Sequence, residues 1–273
     1  MSYASLMVYV EADAIPERRV RLAASLADKF AAMLIGVSAL TIPPPVVADG
    51  MVLAESTDDD IELMRARLAD KGNWFRGIAG GDHRRLDWHA ALDFPAEALA
   101  RAARSADLVI IGQAKAPGNA YRALDPGEAI LKIGRPTLVV PEGMNSLRAE
   151  HIVIGWKDTR EARRAVRDAL PFLQEATRVT IVEACEPGEE KTALGRLDDL
   201  ARYLSHHRIK AGPKVMLEQK GSGARQLIRI AQEERADLLV TGAYGHSRLG
   251  EWIFGGMTHE LLTESPICCL MSH

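Results

Sequence analysis

The sequence predicts an α/β fold: two tandem doubly wound units, each a roughly five-stranded parallel sheet with helices on both faces, related by a pseudo-twofold axis. Three observations carry this. First, the chain repeats itself. The segment Ala106–Gly112 returns as Ala236–Gly242, and Arg135–Val140 returns as Ser265–Leu270, each 130 residues later, whereas Leu6–Val10 matches Ile152–Trp156 and Met33–Val37 matches Val179–Glu183 at 146. Chance likeness of apolar segments would not keep one offset across two separate stretches, so a duplicated unit with one insertion explains both values. Second, short apolar runs alternate with helical patterns, the order expected of βαβ units. Third, the runs at Leu108–Gly112 and Leu238–Gly242 are almost continuously apolar, as strands buried on both faces of a parallel sheet must be.

The elements follow in order. Leu6–Val10 and Ile152–Trp156 open the two units, and helices over Glu17–Ala31 and Arg160–Leu173 follow. Second strands lie at Met33–Val37 and Val179–Glu183. The first unit then holds a surplus of about 16 residues from Thr41-Ile42-Pro43-Pro44-Pro45 onward, read as a loop through about residue 55. Ser56 or Thr57 supplies an N-cap for a helix over Asp58–Phe75 with an acidic first turn. Third strands fall near Arg85–Ala90 and Lys214–Glu218, helices near Ala96–Ser105 and Ala224–Glu234. After the fourth strands, a last helix and a fifth strand close each unit. The polar stretch Glu142–Arg148 joins the halves, which gives units of 1–144 and 148–273.

Composition limits the function. The 273 residues carry 34 basic and 37 acidic side chains, a formal charge of −3. No broad basic field suits nucleic acid. With 47% hydrophobic and 26% charged residues, the composition is that of a folded globular chain. No uninterrupted apolar run reaches the roughly 18 to 20 residues that a membrane span needs, so no membrane insertion is expected. The start, Met1-Ser2-Tyr3-Ala4, lacks a basic n-region and meets Glu11 and Asp13 early, which argues against a signal peptide. Three cysteines without zinc or redox spacing point to a reducing cytoplasm. Cys268 and Cys269 fall in a fifth-strand run and read as core.

The most informative motif follows the fourth strand of the second half: Gly242-Ala243-Tyr244-Gly245, nine residues from His246 to Phe254, then Gly255-Gly256-Met257-Thr258, with a helix over Thr258–Thr263. Gly242 and Gly245 permit a tight turn and close approach of backbone to a ligand. Gly255 and Gly256 open a helix whose first N–H groups, with the helix dipole, suit an anion such as phosphate, and Thr258 adds a hydroxyl. The residues alone leave a second reading open, a tight crossover built of glycines.

This pattern, Gly-x2-Gly-x9-Gly after Ala236-Asp237-Leu238-Leu239-Val240-Thr241-Gly242, resembles the universal stress protein family, and Ser265–Leu270 is similar to that family's last strand. Both halves share the likeness, so the chain looks like a tandem member. The resemblance implies a cytoplasmic stress-response protein of five-stranded α/β units that pair through their fifth strands, here as an internal pseudo-dimer; a further homodimer stays open. It also implies that ATP is a candidate ligand, in the second unit only, with magnesium left open.

Carried over residue by residue, Gly242, Gly245 and Gly255 match the phosphate loop, while Gly256 stands where Ser or Thr is usual. Met257 and Thr258 continue the loop into the helix. Trp156 and Lys157 end the first strand of the second half, with Lys157 where nucleotide-binding members carry Asp, and Ala184 matches the backbone position used for adenine. An ammonium there can still reach phosphate as a point charge. Asp158 reads as an N-cap in Asp158-Thr159-Arg160-Glu161. The first half departs further: Gly112 keeps the first glycine, Lys115 and Asp125 replace the next two, and Glu11 stands for the first-strand acid. Asp125-Pro126-Gly127-Glu128 reads as a capping box whose carboxylates repel phosphate, so this half is expected to have lost the site.

No catalytic residue and no metal site is expected. No Gly-x-Ser-x-Gly elbow exists, and His206 and His207 read as a solvated helix end. His246 and His259 flank the glycine loop at the surface. Trp252, Ile253 and Phe254 read as an apolar anchor for it. The alternatives to a nucleotide-binding protein are a tandem scaffold acting through protein or small-molecule contacts and, least favoured, a slow ATPase lacking a positioned base.

Overall fold

The computed structural model describes residues 2–48, 51–81, 85–113, 123–217, 223–245 and 256–273. The first half runs β1 (Ser5–Tyr9), α1 (Glu17–Phe30), β2 (Met33–Leu40), β3 (Val46–Ala48), β4 (Met51–Ala54), α2 (Asp58–Ala79), β5 (Leu86–Leu92), α3 (Pro95–Ala102), β6 (Leu108–Gly112), α4 (Pro126–Ile133) and β7 (Thr137–Val140). The second runs β8 (His151–Trp156), α5 (Arg160–Asp168), α6 (Leu170–Glu175), β9 (Arg178–Cys185), α7 (Glu190–His206), β10 (Ala211–Leu217), α8 (Gly223–Glu233), β11 (Leu238–Gly242), α9 (Gly256–Glu264) and β12 (Cys268–Ser272).

Ten strands form one sheet in the order β10-β9-β8-β11-β12-β7-β6-β1-β2-β5. Outward from the centre, each half reads fifth, fourth, first, second, third strand. All pairs within a half are parallel, while the central pair, β7 with β12, is antiparallel. Val139 faces Cys269 there, and the 130-residue offset makes these two repeat equivalents. A residue paired with its own counterpart marks the local twofold axis. The expected pairing of the two halves through their fifth strands is therefore what the fold uses.

The alternation of strand side chains splits the core in two. Leu6, Val8 and Val10 meet α1, α2, α5, α6 and α7 on one face. Met7 and Tyr9 meet α3, α4, α8 and α9 on the other. Both layers run across the junction. Tyr3, Phe30 and Phe172 form an edge-on trio, with centroids 5.0 to 5.6 Å apart, and the Tyr3 hydroxyl donates to the Asp168 carbonyl at 2.6 Å. The Gln113 amide reaches the Ser265 carbonyl at 2.6 Å.

Several boundaries differ from the sequence expectation. The helix expected over Arg160–Leu173 breaks at Ala169, because Pro171 lies within the first turn of α6 and can donate no N–H. The helix starting at Asp58 runs on to Ala79, burying Phe75 and Ala79. Thr57, not Ser56, caps it in a reciprocal box with Asp60, whose carboxyl these bonds hold below the usual range. Asp158 is not a cap. Thr159 accepts from the Ala162 N–H at 3.3 Å, and Asp158, one residue outside the helix, pairs with Arg163 instead. Asp125 is the N-cap of α4 as expected, accepting from the Glu128 N–H at 2.7 Å with Pro126 in the first turn, but the reciprocal half of the expected box does not form: the Glu128 carboxylate accepts from Lys132 at 2.7 Å instead. The surplus between β2 and α2 is more than a loop: β3 and β4 form a two-stranded hairpin within it. Cys268 and Cys269 are buried, and burial pushes the Cys269 thiol up to about 12, as core cysteines require.

Candidate functional site

In a doubly wound sheet, ligands sit beyond the carboxyl ends of the strands where the strand order reverses. In the second half that point lies between β8 and β11, and the residues expected to form the site gather around it. Trp156 ends β8 and Lys157 follows it, exposed; Ala184 is exposed near the end of β9; Gly242 ends β11. Gly256 is the first residue of α9 and exposed, and a Cβ placed on it would meet no atom of the described residues within 4 Å. Gly255 lies outside the described residues, as do Lys115, His246, Trp252, Ile253 and Phe254.

The local geometry changes what several of these residues do. A Cβ on Gly242 would lie 2.6 Å from the Ala162 nitrogen and 2.7 Å from the Glu161 carbonyl carbon. Gly242 thus admits the first turn of α5, not a ligand. Tyr244, two residues on, holds a left-handed backbone with φ of 58°, which costs a non-glycine residue about 1 kcal/mol. Its N–H donates to the Thr258 hydroxyl at 3.3 Å, tying the loop after β11 to α9. Thr258 is 7% exposed, so its hydroxyl braces the loop and does not reach outward. Met257, by contrast, is 41% exposed. Trp156 packs its ring against the α5–α7 layer, on the far side of β8 from Gly155.

Sequence reasoning missed Glu161. It is 4% exposed, and a Cβ on Gly245 would lie 3.2 Å from its Oε2 and 3.3 Å from the Thr159 hydroxyl oxygen. Burial alone would raise its carboxyl, but hydrogen bonds from the Arg160 guanidinium, its own backbone and Thr159 outweigh that and hold it below the usual range. The glycine turn therefore faces an ionised carboxylate whose other oxygen is paired with Arg160. A hollow of about 420 Å³ lies beside it, lined by Arg160, Glu161, Arg164 and His273. The missed signal was in plain view: an acid four residues after Lys157, at the start of a helix that must pass over Gly242. Among the described residues no group of three or more His, Cys, Asp or Glu side chains is placed to hold a metal ion, and no helix is long and apolar enough to cross a membrane.

The two halves differ at the helix entrance. Asp125 fills the first turn of α4 with its carboxylate, whereas among the described residues no atom lies within 4 Å of a Cβ placed on Gly256 at α9. The two entrances are neighbours: Tyr244 of the second half feels the Asp125 charge of the first, which adds to burial in pushing its phenol upward.

Residues 148–273 match the model of the universal stress protein family. No curated protein matches the chain significantly. Among solved structures, a universal stress protein from Archaeoglobus fulgidus DSM 4304 is similar over 98% of this chain and 95% of its own, at 12% identity and a TM-score of 0.72. A proposed universal stress protein from Pseudomonas aeruginosa UCBPP-PA14 is similar over 99% of this chain and 93% of its own, at 15% identity and a TM-score of 0.61. A universal stress protein solved in complex with cAMP covers 54% of this chain with all of its own length, at 18% identity and a TM-score of 0.36.

Proposed function

We propose, from the premise that the chain belongs to the universal stress protein family as a two-domain member, that it is a cytoplasmic stress-response protein that binds an adenine nucleotide in its second unit, with a regulatory or protective role. The units are taken as 1–144 and 148–273. The observation that carries this reading is the asymmetry of the helix entrances: α9 begins at an exposed glycine whose Cβ position meets no atom of the described residues, while Asp125 closes the corresponding place at α4. Anions favour such an open N-terminus. Ala184 leaves room for a base at the neighbouring strand end, and Lys157 offers an ammonium.

Glu161 modifies the proposal. Its charge beside Gly245 repels a polyphosphate and disfavours ATP relative to adenosine. Replacing it by the neutral isostere should remove about 1.4 kcal/mol of repulsion. Calorimetric titration of Glu161→Gln with ATP is expected to show about tenfold tighter binding, and adenosine binding unchanged. Lys157→Ala should weaken ATP about tenfold, more at low salt, since such contacts are screened over about 10 Å at 0.1 M. Unchanged ATP affinity in both variants would remove these residues from the site. If ATP, ADP and adenosine all fail to bind the parent and Glu161→Gln, the scaffold reading replaces this one. Glu161, Thr258 and Gly242, each committed within the fold, are the observations that favour that second reading.

A further inference from the structure

A cleft of about 1010 Å³ lies in the first unit, at the carboxyl ends of β1, β6 and β7 and under the N-terminal turn of α1. Its cause is visible in the chain. Seven residues, 10–16, join β1 to α1, whereas three, 157–159, join β8 to α5. In the second unit the shorter link draws the α5 backbone onto Gly242. In the first, the helix stands off, and the Arg19 side chain lies over Gly112 in place of helix backbone: a Cβ on Gly112 would collide with Arg19 Nη1.

Among the described residues, three guanidinium groups line this space, and two are paired with carboxylates. Arg19 pairs with Glu11, and Arg21 with Glu17 at 2.7 Å. Arg18 meets no carboxylate within ion-pair distance among the described residues. It crosses to the Gly143 carbonyl at 3.0 Å, which uses one of its five N–H donors. The Gly143 backbone that receives it is held in a turn by its φ of 88°. The walls around Arg18 are aliphatic: Ile15, Pro16, Leu124, Pro126, Val140 and Met144. Ile15 is 72% exposed, more than any other large hydrophobic residue described. A concave, mostly apolar space of this size with, among the described residues, one guanidinium outside any ion pair is the form of a small-molecule site.

We infer that this cleft binds a monocarboxylate with an aliphatic body, the carboxylate on Arg18 and the chain along Ile15, Pro16 and Met144. The neighbouring acids select against higher charge. Asp125 and Glu142 line the cleft beyond the paired Glu11 and Glu17, so a phosphate dianion or polyphosphate meets repulsion where a single carboxylate can use the guanidinium fork. The site is separate from the one proposed in the second unit, shares no residue with it, and stands or falls independently.

The test is calorimetric titration of the full chain with decanoate, kept below its micelle concentration, beside decanamide and inorganic phosphate. Decanoate is expected to bind with a stoichiometry of one, decanamide at least tenfold more weakly, and phosphate not measurably. Arg18→Gln should weaken decanoate at least tenfold, Ile15→Ser should weaken it severalfold, and Lys157→Ala should leave it unchanged. Thermal unfolding of each variant checks that the fold is intact. Decanoate binding that is absent, multiple in stoichiometry or insensitive to Arg18→Gln and Ile15→Ser would overturn the inference. So would phosphate or ATP competing with decanoate for the cleft.

Discussion

Phe172→Ala is expected to destabilise the protein by about 3–5 kcal/mol, the usual cost of removing a fully buried aromatic ring. The cost comes from position as well as burial. Phe172 belongs to the second half but closes its edge-on contacts with Tyr3 and Phe30 of the first, at 5.6 and 5.1 Å. Its loss opens a cavity at the junction, and the backbone there is tied by the bond from Tyr3 to the Asp168 carbonyl, so the seam cannot simply collapse. For a chain of this length the thermal midpoint should fall on the order of 10 °C. Leu194→Ala, at a position 42% exposed on α7, is the control and should cost little. A loss below about 1 kcal/mol for Phe172→Ala would show that the trio does not hold the halves together.

Gly242→Val should cost about 3 kcal/mol with no ligand present. Valine favours extended backbone, so intrinsic preference works against a loss, and any destabilisation reports the clash. The clash is with backbone: the Ala162 nitrogen and the Glu161 carbonyl carbon, which cannot swing aside like a flexible side chain. Either α5 shifts or the end of β11 does, at a cost typical of overpacking. Gly256→Ala, in the same glycine motif, adds a Cβ that meets no atom of the described residues within 4 Å and replaces glycine in the first turn of a helix. It should be neutral or slightly stabilising. Denaturant unfolding of the two variants separates a glycine needed for packing from one that leaves room for a ligand. Equal stability of both would refute the packing role of Gly242.

These two glycines show what was legible in the sequence. The repeat offsets reported the duplication because strand segments tolerate no insertions, and the continuous apolar runs reported burial on both faces. An offset measures only length, so the change from 146 to 130 located the surplus without disclosing that Val46–Ala48 and Met51–Ala54 pair within it. The site was less legible because a motif names residue types and not their neighbours. Gly242 suits a close approach, but whether ligand or helix approaches depends on the three-residue link after β8. Thr258 offers a hydroxyl, but the left-handed turn at Tyr244 consumes it. Glu161 was read as part of a capping pattern, and only the packing of α5 against β11 sets its carboxylate against Gly245. The cleft of the first unit had a readable sign, the four extra residues before α1, followed at once by Arg18, Arg19 and Arg21.

The antiparallel pair at the centre of the sheet also sets how the molecule responds to dilution. Two separate chains joined through fifth strands part as their concentration falls, and their apparent stability falls with it. Here β7 and β12 belong to one chain, so their encounter is intramolecular and its effective concentration is fixed by the 10-residue stretch between β7 and β8 and by the second unit itself. The junction persists at any protein level. A covalent dimer of this kind is also free of the rule that a substitution must appear twice: Asp125 can cap one helix entrance while Gly256 begins the helix at the other, an inequality that identical partners cannot encode.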